Sequence, residues 1–410
     1  MKKSLLVCVA LLKITLSHAD QNIEIIGGNN ISTPPIAIMD FTNNDDSGNN
    51  NIANIIANDI NVSGDIKAIN ISSNQKQIES NITYIVSGVV KGDNISYTLQ
   101  QNNESSTVVL TNTIVNLNKN TRLAAHTISN QIYQKLTNTP GIFTTKIAYI
   151  AQDKRNYKLI VADYDGFNPK VILSTKNIIA SLAWSPNGSQ IAYISLESGK
   201  PVVYVQNVYT PSRFIVANFP GSNSSPTFTP TGSQLAVTLT KDSGSHIYLV
   251  DNTVFSSNSS AIPLISDGSI DTEADIGANE NIVFTSNHDG GPQIFMANLS
   301  NTSAPKRLTI NLGNYNTTAR LAHNLSKITF IHRDMGTLRT YVQDLSTGAN
   351  YPVSMGTNLD TAPSFAPNDK LILFSSGNAV YIVNTNGTTQ TKLNTINYNQ
   401  IIDLRWANNY

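Results

Sequence analysis

Ser181-Leu182-Ala183-Trp184-Ser185-Pro186-Asn187-Gly188-Ser189-Gln190-Ile191-Ala192-Tyr193 sets two short apolar runs on either side of a Ser-Pro-Asn-Gly turn. Proline presets the first torsion of such a turn, and Asn or Gly accepts its left-handed position. The pattern recurs: Thr229-Pro230-Thr231-Gly232 and Ala366-Pro367-Asn368-Asp369 stand in the same phase. Ile147, Ile191, Leu235, Ile282, Ile328 and Leu371 share one place in the repeat, at spacings of 43 to 47 residues. In a second register Asp163, Asn207, Asp251, Asn298, Asp344 and Asn384 close the next run of each unit. Their short side chains bond the backbone ahead of them and start a turn. Six units at the period of a four-stranded blade predict a mainly β chain, a six-bladed β-propeller. The first unit has no usual strand ahead of Ile147, whereas Ile401-Ile402-Asp403-Leu404-Arg405-Trp406 matches Ser181 to Trp184. The tail is therefore expected to supply the missing inner strand and seal the ring.

Ahead of the ring the pattern changes. Ile36 to Phe41 reads as a strand, and Ile52, Ile55, Ile56 and Ile60 fall at helical spacing. Ile82 to Val90 and Ile95 to Leu99 read as a hairpin about Gly92-Asp93, with another strand near Thr107 to Val115. Ala125, Ile128, Ile132 and Leu136 line one side of a helix from Lys119 to Leu136, which Pro140-Gly141 stops. Interleaved strands and helices predict a small α/β domain over 34–142, followed by the propeller over 143–410. Lys2 and Lys3, the apolar run Leu5 to Leu12 and Ser17-His18-Ala19 predict a signal peptide over 1–19. Residues 20–33, around the alternating Ile23-Glu24-Ile25, read either as a disordered tail or as a flexible peptide that docks by strand addition.

Charged residues are 13% of the chain and the formal net charge is zero, so no long-range field favours nucleic acid or an anionic membrane. The one cysteine, Cys8, lies inside the expected signal, and a processed chain without thiols is expected in the periplasm. The sequence has no Gly-x-Ser-x-Gly elbow, no His-Glu-x-x-His and no phosphate loop. No catalytic residue, metal or cofactor is therefore expected. His126, His246, His288, His323 and His332 lack ligand spacing and read as loop or helix-face residues. Asp163-Tyr164-Asp165-Gly166 resembles half a calcium loop but reads as a turn. Asp271-Thr272-Glu273-Ala274-Asp275 reads as a solvated rim, against the alternative of carboxylates facing the axial channel. An enzymatic alternative, a hydrolase or lyase, would use Glu273 and Asp275; a sugar-binding alternative has only Tyr315 and Tyr398 as aromatic platforms. The loops leading into the inner strands, Gly221 to Ser225, Ser269 to Glu273, Tyr315 to Thr318 and Leu359 to Thr361, read as a docking surface on a rigid scaffold.

Leu182 through Tyr193 resembles the propeller repeat of the TolB family. Ala125-His126-Thr127 through Lys135-Leu136-Thr137 with Lys146-Ile147-Ala148-Tyr149 is similar to that family's domain junction, and Ala162 through Asn168 to its first blade. The resemblance implies a non-enzymatic Tol-Pal component, with the lipoprotein Pal received on the funnel and TolA, or colicins, on the N-terminal peptide. It also implies a role in outer-membrane integrity and invagination during cell division, with attachment to the outer membrane through Pal. Aligned by flanking motifs, Ser222, Asn223, Ser225, Thr272, Glu273, Thr317, Asp360 and Thr361 stand where Pal would dock, and Ile23, Glu24 and Ile25 where TolA would. A monomer is expected. The Gly221-Ser222 pair departs from the family's larger or basic group, and the leader matches only loosely.

Overall fold

The computed structural model describes residues 24–26, 35–42, 51–72, 78–115, 120–241 and 244–408. The expected signal peptide, Ile23 and most of the leader lie outside the described residues. Strands are numbered β1 to β30 and helices α1 and α2 along the chain.

The first layer is a five-stranded sheet of β2 (Ile36–Met39), β3 (Ala68–Ile71), β4 (Tyr84–Lys91), β5 (Asn94–Gln101) and β6 (Val108–Val115), in the order β3-β2-β4-β5-β6. The strand β3 was not foreseen from sequence. It pairs parallel to β2, which requires the crossover through α1 (Ile52–Ser63). Asn51 caps that helix by accepting from Asn54 N, and Ile52, Ile55, Ile56 and Ile60 are all buried. The second helix, α2 (Thr121–Thr137), is capped by Asn120 and buries Ala125, Ile128 and Ile132.

Six sheets follow around an axis, five of four strands and the last of five. Blades two to six open on the inner strands β10 (Ile179–Trp184), β14 (Asn223–Phe228), β18 (Asp271–Ile276), β22 (Asn316–Leu321) and β26 (Asp360–Phe365). The first blade is ordered β30-β7-β8-β9, its inner strand β30 (Gln400–Trp406) antiparallel to β7 (Lys146–Asp153), with Trp406 opposite Ile147. Both ends of the repeat thus share one sheet, and the ring has no gap at the join. Ile147, Ile191, Leu235, Ile282, Ile328 and Leu371 are each no more than 1% exposed. Asp163, Asn207, Asp251, Asn298, Asp344 and Asn384 each end the third strand of a blade. Apolar clusters fill the spaces between successive blades.

One cluster joins the α/β layer to the first and last blades, running from Ile52 and Ile128 through Phe143 to Leu371 and Trp406. Gly64 ends α1 at φ 71°, where an added Cβ would lie 2.9 Å from Asn384 Nδ2 and 3.0 Å from Thr389 Cβ. Left-handed backbone and close approach both exclude a side chain. Gly64→Ala is expected to lower stability by about 1–3 kcal/mol. Urea unfolding checks this against Gly92→Ala, which shares the positive φ but meets nothing within 4 Å; equal losses would mean that the junction tolerates the methyl group.

Candidate partner-binding face

Five inner strands break register at the same place, after Ala180, Ser224, Thr272, Thr317 and Thr361. The next residue of each, Ser181, Ser225, Glu273, Thr318 and Ala362, has φ between 47° and 58°. None is glycine, and left-handed backbone at a β-branched residue such as Thr318 is a true outlier. Each such bulge stores on the order of 1–3 kcal/mol and persists because the ladder on both sides over-determines it. Its result is a ring of residues turned out of their ladders. All five, with Asp403 of β30, line a cavity of 260 Å³ at the end where the inner strands begin.

Ser225 and Thr272, from adjacent blades, come together with their hydroxyl oxygens 3.4 Å apart, and Thr238 Oγ1 donates to Thr272 Oγ1 at 3.3 Å. Ser222 and Thr317 are half-buried on the same rim, and Thr361 is exposed beside Ser375, 2.8 Å between hydroxyls. Two of the sequence candidates are corrected by burial. Asn223 is fully buried; its amide donates to Pro201 O, Phe219 O and Gly221 O and accepts from Phe219 N. Asp360 is also fully buried and accepts from Thr340 N and Oγ1. Asn223 holds the loop that leads into its strand, Asp360 holds a strand of the preceding blade through Thr340, and neither is surface a partner can touch. Of the leader, Glu24 and Ile25 lie in β1 (Glu24–Ile26), which pairs antiparallel with Lys392 and Thr391 of β29 (Gln390–Lys392). The tripeptide does add a strand to a sheet edge, that of its own sixth blade.

The acidic stretch 271–275 is not a solvated rim. Asp271 is fully buried, 3.5 Å from His246 Nδ1. Glu273 accepts from Thr318 N and Oγ1 and from Thr285 Oγ1, and Asp275 accepts from Leu321 N. These carboxylates tie one inner strand to the next blade, because a left-handed bulge leaves backbone N–H groups that the ladder cannot satisfy. The enzymatic alternative needed Glu273 and Asp275 free, and they are engaged. Asp403 does the same for Leu182 N, and burial pushes its carboxyl up to about 6 against the pull of that bond and of Arg320. Desolvation likewise raises Asp275.

Other candidates resolve in the same way. Tyr315 is covered by Arg333, 3.9 Å from its ring, and Tyr398 packs against Tyr149 and Lys158, so neither offers a bare sugar platform. His246 and His332 are buried on strands rather than on loops; burial lowers the pKa of His332, whose Nδ1 pairs with Asn316 Oδ1 at 2.8 Å. His126, Asp163 and Asp165 bring possible ligand atoms close together. Arg122 and Lys146 already neutralise the two carboxylates, so the donor set does not suit a cation.

The docking loops read from sequence contain Ile270 and Leu359, but that reading did not weigh their apolar character and left out Ile178 and Met335. Ile178, Ile270 and Leu359 precede inner strands and are 47%, 53% and 59% exposed; Met335, in the hairpin after β23 (Lys327–Asp334), is fully exposed. Leu338 bridges Leu359, which brings that hairpin onto the same rim. Large apolar side chains around a polar mouth mark a protein-contact surface. An exposed Ile or Met directly before a turn was the available signal.

The TolB beta propeller domain family matches residues 133–408, and the TolB amino-terminal domain family matches 21–87. The chain is 33% identical over 319 residues to the Tol-Pal system protein TolB of Bordetella pertussis, covering 73% of this chain and 71% of that protein. It is 37% identical over 218 residues to the Legionella pneumophila (strain Corby) protein of the same name, covering 49% and 51%. The crystal structure of TolB from Acinetobacter baumannii superposes with a TM-score of 0.81 at 30% identity, covering 94% of this chain and 99% of that one.

Proposed function

The chain belongs to the TolB family, and from that premise we propose that it works in the Tol-Pal system as a periplasmic scaffold. The funnel rim receives the lipoprotein Pal and the leader engages TolA, in support of outer-membrane integrity and division. The observation that carries this reading is the rim itself: Ile178, Ile270, Met335 and Leu359 stand exposed around Ser222, Ser225, Thr272, Thr317 and Thr361. Such a face combines apolar anchors with a polar centre on a rigid ring. Glu273 lines the mouth with its carboxylate held by Thr318 and Thr285. Among the described residues no helix is long and apolar enough to cross a membrane, in keeping with attachment through a lipoprotein.

The leader bears on TolA. A partner that takes Glu24 and Ile25 as a strand must first part them from β29, to which only three residue pairs hold them. Backbone hydrogen bonds contribute about 0.5–1.5 kcal/mol each in water, so release is cheap enough for a reversible exchange.

Capture from envelope extract tests both contacts at once. The Ser225→Arg, Thr272→Arg double variant is expected to retain at most one tenth of Pal capture, about 1.4 kcal/mol or more, with TolA capture unchanged. Removing residues 20–33 is expected to do the reverse. Undiminished Pal capture by the double variant would remove the funnel from this role.

A further inference from the structure

The channel has a second mouth where the inner strands end, on the side away from the funnel rim. There a cavity of 280 Å³ is lined by Trp184, Phe228, Phe365 and Trp406 together with Arg320 and Arg405. The two arginines also line the funnel cavity, so they stand at the constriction between the two ends. Arg320 is only 9% exposed, and its Nε has no hydrogen-bond partner. Its Nη1 bonds Ala319 O at 2.5 Å, and the nearest carboxylate oxygen, Asp275 Oδ1, is 4.0 Å from Nε. Arg405 is held by Leu182 O and Pro363 O. Asp275 is the one carboxylate that lines this cavity, His323 being paired with Asp369, while Glu273 and Asp403 face the same two arginines from the funnel side. What this side leaves unfilled is the Arg320 Nε–H, buried without an acceptor.

A buried guanidinium N–H without an acceptor is costly to leave unmade. A concave site with aromatic walls and a few convergent polar groups is the ordinary form of a small-molecule pocket. Its size, at the lower end of such pockets, limits the occupant to a compact molecule. We propose that this second mouth is a binding site for a small organic monocarboxylate with a flat apolar body, its carboxylate accepting from Arg320 and Arg405 and its body against the aromatic walls. A carboxylate matches the planar fork of arginine, and the aromatic lining selects against a bare inorganic anion. The site opens on the opposite side from the funnel and shares Arg320 and Arg405 with the funnel cavity.

The chain has two tryptophans, and both line this cavity, so intrinsic fluorescence reports occupancy directly. Benzoate titrated into the full chain at constant ionic strength is expected to change the emission saturably, with a Kd on the order of 1 mM. Benzamide, the same shape without the charge, and inorganic phosphate, the charge without the body, are expected to leave it unchanged. Arg320→Gln is expected to weaken benzoate at least tenfold, and Arg320→Lys, which keeps the charge but not the fork, by an intermediate factor. Should Arg320→Gln fail to fold, the Arg320→Lys titration and the benzamide control still decide the question. An equal response to benzoate and benzamide, an equal response to phosphate, or undiminished benzoate affinity in the arginine variants would overturn the proposal.

Discussion

Trp406→Ala is expected to lower the unfolding free energy by about 3–5 kcal/mol, a large share of the roughly 5–15 kcal/mol that holds a typical domain folded. The indole is 1% exposed, donates from Nε1 to Thr145 Oγ1 at 2.8 Å and stacks at 6.3 Å on Tyr164. Its backbone N–H donates to Ser364 Oγ of the sixth blade while its strand pairs with the first. One residue thus joins the last blade, the first blade and the α/β layer, and truncation leaves a cavity where three bodies meet. The loss also concerns closure. Without a firm grip at Trp406, β30 frays and uncovers the inner edge of β7, which then behaves as an unpaired strand. Urea unfolding with limited proteolysis of the tail checks this, with Tyr209→Ala, 71% exposed, as the surface control expected within about 0.5 kcal/mol of the parent. A loss below about 1 kcal/mol at Trp406 would mean that the ring is closed by something other than its tail strand.

That closure was legible because two independent registers of the repeat agreed and the tail matched the inner-strand pattern where the first unit had a gap. Local chemistry at the turns needed no tertiary information: Pro186 and Gly188 do what their torsions allow. What escaped sequence reading depended on partners distant in the chain. The four residues of β3 are too few for an alternation to stand out, and their pairing follows from the α1 crossover. The alternation in Ile23-Glu24-Ile25 signals a strand, but nothing in it says whose edge it takes, and Glu24 to Ile26 take the edge of residues 390–392. Asn223, Asp271, Asn316 and Asp360 look like surface polarity, yet all four are fully buried at the first position of an inner strand. Asn223 and Asn316 are tolerated there because loop carbonyls such as Pro201 O and Leu312 O need a donor, and Asp360 because it accepts from Thr340 of the preceding blade, needs that appear only when the blades are in place. The candidate site was half legible for the same reason: Ser225 and Thr272 meet as the repeat implies, while the apolar rim is set by where Met335 and Leu359 come to lie.

The junction between the α/β layer and the ring is expected to weaken as pH rises, through one imidazole. His126 of α2, 2% exposed, holds Asp59 Oδ2 on α1 at 2.8 Å through Nδ1 and lies 3.6 Å from Asp165 Oδ2 of the first blade through Nε2. Tyr164 Oη donates to Asp59 Oδ1 at 2.5 Å and Arg122 pairs with Asp165, so charged and polar groups from both bodies close around the ring. Lys146 and Asp163 form the next pair outward. Burial alone would lower the histidine pKa, but Asp59 and Asp165 outweigh it and the net direction is upward. Desolvation raises the carboxyl of Asp165 as well. For a group whose folded pKa lies above its unfolded value, the stabilisation is complete below the unfolded value, about 6.5 for histidine, and is lost as pH rises through the folded value. Asp165 has the same sign, its loss starting above the ordinary carboxylate value, and it is present in both parent and variant. The stability of the parent minus that of His126→Gln is therefore expected to be greatest near pH 6, at about 3–5 kcal/mol for a broken buried pair, and to shrink steadily toward pH 9. Taking the difference cancels other titrations, such as those of His323 and Asp403. Urea midpoints at half-unit steps of pH measure it, and a difference that stayed flat or grew with pH would show that His126 is held neutral, leaving Arg122 and Tyr164 to carry the junction alone.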